Sequence, residues 1–179
     1  MIKVKKTQNT MTIHKKGMNM RYLVALGLVL GSASMANAEH AKINLDVAGK
    51  SGQETAFVDQ TPPDYGKNPR PVVKVKVGET IKVQYVLTNV YPHKTLVNVV
   101  VHFYVAKQGK VGQKELPNLG EEKNIVLESA FEMDFKPGGK AGARTSFKAD
   151  TPGVYLIRVE TRQTASDHEH FSAIDLVVE

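Results

Sequence analysis

The residues best suited to chemistry in this chain lie near its C-terminal end, in Asp167-His168-Glu169-His170. In an extended segment successive side chains point to opposite sides, so His168 and His170 share one side and Glu169 takes the other. Two imidazoles so spaced can chelate a divalent transition ion, and imidazole suits copper and zinc. A tetrahedral ion needs further ligands. The expected third is His93, in Tyr91-Pro92-His93, with carboxylates alongside. This is one of three readings. In the second, 166–169 is an ordinary polar hairpin loop and His170 begins the last strand, bonding a neighbour, with no ligand involved. In the third, Tyr91, His93, Asp167, His168, Glu169 and His170 form a metal-free surface for protein or glycan, because loops on a rigid scaffold commonly carry binding.

The remaining polar chemistry is sparse. His102 falls on the opposite face of its strand from Val99 and Val101, with Val100 and Tyr104. That face, joined by Leu156, Arg158 and Phe171, forms a mixed apolar patch, expected to be covered by a strand at 41–47 or by a partner. There is no Gly-x-Ser-x-Gly elbow, no His-Glu-x-x-His and no phosphate-cradling loop. Glu128, Glu132 and Asp134 alternate along one strand as a solvated face, whereas a catalytic carboxyl with a raised pKa needs burial. Gln108 to Gly120 reads as a flexible, Gly-rich connector between strands. No catalytic residue is assigned, and the chain is expected not to be an enzyme.

These residues need elements to position them, and alternation of apolar and polar residues supplies them. Ile43, Leu45 and Val47; Val73, Val75 and Val77; Ile81, Val83, Tyr85 and Leu87; and Val97, Val99, Val101, Phe103 and Val105 each recur with period two. So do Ile125, Leu127, Phe131, Met133 and Phe135; Tyr155, Ile157 and Val159; and Ile174, Leu176 and Val178. That period, rich in β-branched and aromatic residues, predicts half-buried strands. Turn chemistry at Gly78-Glu79, Tyr91-Pro92-His93, Lys136-Pro-Gly-Gly139 and Thr151-Pro-Gly153 separates them. About seven strands spaced this way predict an all-β, antiparallel sandwich. Residues 39–69 read as an N-terminal strand extension, with a strand at 41–47, a second near 55–59, and a Pro-rich connector that disfavours helix and central strand.

Residues 70–179 resemble an exported bacterial immunoglobulin-like or fibronectin-III-like domain. The resemblance rests on Val-Lys-Val-Gly-Glu-Thr-Ile-Lys-Val-Gln-Tyr-Val-Leu-Thr-Asn (75–89) and Ala-Asp-Thr-Pro-Gly-Val-Tyr-Leu-Ile-Arg-Val (149–159). It implies first and second strands joined at Gly78, and Tyr155 placed as a tyrosine-corner residue. It also places the loops holding His93 and Asp167 to His170 at one end of the sandwich. The chain lacks the cysteine pair and tryptophan of antibody domains.

The first 38 residues read as an export signal. Lys3, Lys5, Lys6, Lys15, Lys16 and Arg21 precede a short apolar run, Tyr22 to Leu30, and a small-x-small site, Ala36-Asn37-Ala38. Translation starting at Met18 or Met20 would give the same signal at ordinary length. Cleavage after Ala38 removes these six from the 24 basic residues, leaving 18 against 18 acidic ones. The expected mature chain is therefore neutral, in the periplasm or outside the cell. It has no transmembrane segment and no clustered basic charge of the kind nucleic acid requires. It also keeps one methionine, Met133, and has no cysteine, which excludes thiolate and methionine-rich metal sites. His40 becomes the second residue, a position that suits neither an amino-terminal copper brace nor a position-three copper motif. The sequence thus predicts a non-enzymatic binding or scaffold protein whose partner is a protein or glycan of the cell envelope. The alternative is a periplasmic copper- or zinc-binding protein using His93, His168 and His170.

Overall fold

The alternating stripes become nine strands in the computed structural model, which describes residues 41–58, 70–163 and 169–179. Residues 1–40 (which include the segment expected to be an export signal), the 59–69 connector and residues 164–168 lie outside the described residues. All the described residues belong to one compact unit, 37–179. In chain order the strands are β1 (Ala41–Ala48), β2 (Gln53–Val58), β3 (Val72–Val75), β4 (Thr80–Asn89) and β5 (Leu96–Gln108). After a single 3-10 turn at Glu122–Asn124 come β6 (Ile125–Phe135), β7 (Lys140–Lys148), β8 (Gly153–Gln163) and β9 (Glu169–Val178).

They form two sheets, ordered β2-β1-β4-β7 and β3-β9-β8-β5-β6. One core lies between them. Ile43, Leu45 and Val47 from β1 and Ile81, Val83, Tyr85 and Leu87 from β4 meet Val99, Val101, Phe103 and Val105 from β5. Tyr155, Ile157 and Val159 from β8 and Ile174, Leu176 and Val178 from β9 complete it. Each such side chain, fully buried, contributes about 1.5–3 kcal/mol. Tyr85 stacks on Phe103 with ring centres 5.3 Å apart. Burial pushes the Tyr85 hydroxyl pKa up, opposed by its hydrogen bond with Ser129.

Four features differ from the sequence reading. Residues 70–179 hold seven strands, β3 to β9, beside β1 and β2 of the N-terminal extension, but one of the seven, β7, lies where no strand was expected. It pairs with β4 along its whole length. Its Ala141, Gly142 and Ala143 have low strand propensity, so the segment reads as loop. Gly142 is required there, since a Cβ on it would collide with the Tyr85 carbonyl oxygen. Second, the pairing is not wholly antiparallel: β3 runs parallel to β9, from Val72 opposite Asp175 to Val75 opposite Val178. Third, β1 does not lie over the outer face carrying His102. It is an inner strand of the other sheet, between β2 and β4. Fourth, the apolar stripe of β5 starts at Leu96, not Val97. A bulge at 97–98 shifts the register against β6, with Asn98 at φ 54° and its amide donating to Asp134 Oδ1 at 2.9 Å. The extra residue lets Leu96 and Val99 both face inward, leaving Val97 52% exposed.

Candidate functional site

The expected recognition end is where β4 passes to β5 and where β8 stops and β9 starts. Val99, near the start of β5, pairs with Gln163, the last residue of β8. Residues 90–95 and the strand ends at 163 and 169 therefore share one end of the sheets. Asn89 fixes the first loop. Its side-chain amide donates to the carbonyls of Lys94 at 2.8 Å, Phe135 at 3.1 Å and Lys136 at 3.1 Å, while its Oδ1 accepts from the Tyr91 amide at 2.9 Å. A buried side chain thus ties the loop to the turn after β6. Tyr91 is half-buried against the core, with the Lys94 ammonium 5.3 Å from its ring centre. His93 is exposed at the tip.

His170 is placed differently. It sits opposite Thr161 and on the inner face, two residues before Ser172 and four before Ile174, and is 1% exposed. The inner face thus turns polar towards this end of the sheet, through Thr161, His170 and Ser172. Among the candidate ligands, then, one imidazole faces solvent and another is buried between the sheets. Asp167 and His168 lie outside the described residues, as does the side chain of Glu169. Among the described residues no group of three or more His, Asp or Glu side chains could hold a metal ion.

The outer face of the five-stranded sheet carries a second polar arrangement. His102 lies between two carboxylates, with Nε2 2.8 Å from Glu128 Oε1 and Nδ1 3.2 Å from Glu160 Oε1. A ring protonated on both nitrogens donates to both, and a neutral ring to one only. Arg158 Nε donates to Glu160 Oε2 at 2.6 Å, and its guanidinium lies 3.8 Å from the Phe171 ring centre. Val100, His102, Ala130, Glu160 and Arg162 line a shallow pocket of about 420 Å³. The sequence placed His102, Tyr104, Leu156, Arg158 and Phe171 on this face and read Glu128 as part of a solvated face, but joined neither Glu128 nor Glu160 to His102. Register is the missing signal: His102 pairs with Glu160 across one side of β5 and with Ala130 across the other, and Glu128 is opposite Tyr104.

Beside the pocket, Tyr104, Ala106, Leu156, Phe171 and Ala173 form a separate apolar cluster packed by Leu119. Leu119 arrives on the connector after β5, which is latched rather than loose. Asp175, wholly buried, accepts from Gln108 Nε2 at 2.8 Å and from the Gly112 amide at 2.6 Å, and pairs with Arg70 Nε at 2.9 Å. Arg70 also donates to the Gln113 carbonyl at 2.7 Å. Asp175 was not singled out from sequence, because a lone acid in a strand gives no sign of burial.

No protein family matches the sequence, and no curated protein is similar to it. Among solved structures, the C-terminal domain of Wzt is similar at TM-score 0.42 and 11% identity, over 80% of this chain and 75% of that one. A family 123 glycoside hydrolase from Clostridium perfringens is similar at TM-score 0.39 and 9% identity, over 76% of this chain and 27% of that one. A beta-glucosidase from Listeria innocua in complex with gluconolactone is similar at TM-score 0.30 and 9% identity, over 75% and 16%. Likeness at this level assigns neither an activity nor a ligand. The coarse class stands on the strands themselves: an all-β chain of two sheets around one core.

Proposed function

We propose that the protein is an exported, non-enzymatic binding or scaffold protein of immunoglobulin-like topology that recognises an envelope protein or glycan through the loop end at 90–95. Two observations support the topology. Strand β3 joins β4 through Gly78 at φ 87°, and the Tyr155 hydroxyl donates to the Thr151 carbonyl at 2.9 Å, as a tyrosine corner does. The observation that carries the function is the Asn89 clamp. Its four hydrogen bonds hold an exposed loop, with Tyr91 braced on the core and His93 presented to solvent. A loop ordered before it binds loses less conformational entropy on binding.

The test is capture from envelope extract with the wild type and with His93→Ala and Tyr91→Ala. The reading expects a partner whose recovery both substitutions reduce; equal recovery by all three overturns it. Titration with Cu²⁺ and Zn²⁺ addresses the alternative site at His93, His168 and His170. An ion bound to the native state raises the thermal midpoint as its concentration rises. The binding reading expects no rise. A rise abolished by His93→Ala and by His168→Ala would favour the metal reading instead.

A further inference from the structure

Strands β6 and β7 are edges of different sheets, and the short turn 136–139 joins them. They therefore lie along the same flank and run in opposite directions. Each presents backbone donors and acceptors that no strand among the described residues meets, a ready template for pairing with another chain. The flank is also apolar in part: Val126 is 44% exposed and Phe131 37%. Outward on β6 stand Glu128, Glu132 and Asp134, and outward on β7 stand Lys140, Arg144 and Lys148. Glu132, Lys140 and Arg144 make no ion pair with the described residues.

The distribution of charge selects among pairings. Setting β6 against another β6 places carboxylates beside carboxylates, and β7 against β7 places cations beside cations; both are unfavourable across a strand pair. Only the crossed arrangement sets acids against bases. We propose that this flank is a homodimer interface, in which β6 pairs with β7 of a second copy while β7 pairs with that copy's β6. A two-fold axis parallel to the strands preserves strand direction, so both new pairs are antiparallel. It also keeps the two outer faces continuous, which brings Glu132 of one copy alongside Arg144 of the other. Each five-stranded sheet then continues into the four-stranded sheet of its partner. Phe131 is covered, and the interface is isologous and closed, so pairing stops at two copies.

Sedimentation velocity at low salt tests the proposal, on protein at about 100 μM, where an interface of micromolar Kd is largely formed. A dimer is expected. Glu132→Lys and Arg144→Glu should each shift it to monomer, and the double variant Glu132→Lys/Arg144→Glu should restore it. Both positions are exposed, and far-UV circular dichroism verifies that each variant keeps its strands; Glu132→Gln and Arg144→Gln should weaken the dimer in the same direction. A wild-type monomer overturns the proposal. So does a dimer indifferent to both single reversals, a double variant that stays monomeric, or a ladder of larger species.

Discussion

At the scale of single residues, the strongest commitments in this molecule are buried and polar. Asp175 shows how one carboxylate organises a region. Its side chain is 0% exposed and that of its partner Arg70 6%, so neither charge is solvated and each depends on the other. Taking one member from such a pair leaves an uncompensated charge, which costs about 3–5 kcal/mol, far more than the net worth of the pair. Asp175→Ala also frees the Gly112 amide and the Gln108 amide, and so releases the connector that carries Leu119. Urea unfolding of Asp175→Ala should show a loss of that size. Asp175→Asn, which keeps an acceptor oxygen, should lose less. A loss below about 1 kcal/mol for Asp175→Ala would mean that the latch is solvated and the connector held by other contacts. His170 teaches the complementary lesson. Its neighbours in sequence suggested a ligand cluster, yet strand alternation turns its ring to the inner face that Ile174 also occupies, rather than towards the exposed tip at His93.

At the scale of elements, turns are tied to one another by side chains distant in sequence. Glu79, in the turn before β4, accepts from the Ser51 hydroxyl and from the amides of Lys76 at 3.0 Å, Ser51 at 3.0 Å and Lys50 at 2.7 Å. It therefore staples the β1–β2 hairpin to the β3–β4 turn. The Ser51 hydroxyl, then the Lys76 amide, and then the Ser51 and Lys50 amides favour the carboxylate, lowering its pKa from 4.5 to about 2 against a smaller opposing effect of burial. A depressed folded-state pKa stabilises above the unfolded value and not below the folded one. The contribution is thus complete above about pH 4.5 and disappears as pH falls through 2. Glu79→Gln should be less stable than wild type at pH 6, with the gap in urea midpoint narrowing steadily from pH 5 to pH 2. A gap independent of pH would show that the staple does not depend on charge. The strands these turns join were largely legible, because period-two burial leaves a direct trace in the sequence. The bulge at Asn98 was not, since one inserted residue moves Leu96 into the core and Val97 out of it without altering composition. Strand β7 was missed for a related reason: of its inward residues Ala141, Ala143 and Thr145 are small and only Phe147 packs a large apolar side chain on the core, so pairing with β4 does most to hold it in place.

At the scale of the whole molecule, charge is arranged rather than accumulated. The complete sequence has an isoelectric point near 9.4 and a formal charge of +6, but the six basic residues responsible for the excess all precede residue 39. If export removes them, the folded unit carries balanced charge, and what distinguishes its surfaces is where each sign sits. Acids lie outward on β6 and bases outward on β7, on the two edges of one flank. A neutral protein lacks the self-repulsion that keeps highly charged proteins apart, so local complementarity governs its association. Cleavage after Ala38, if it occurs, would therefore set both the address of the protein and its colloidal behaviour. Expressed with its full sequence in a bacterium that exports it, the protein should be recovered from the envelope fraction with Glu39 at its amino terminus by intact mass and terminal sequencing. On focusing gels that species should lie near neutrality, well below 9.4. A band that stays near 9.4 and retains residues 1–38 would assign the basic segment to the working protein, giving it an electrostatic role that the folded unit does not supply.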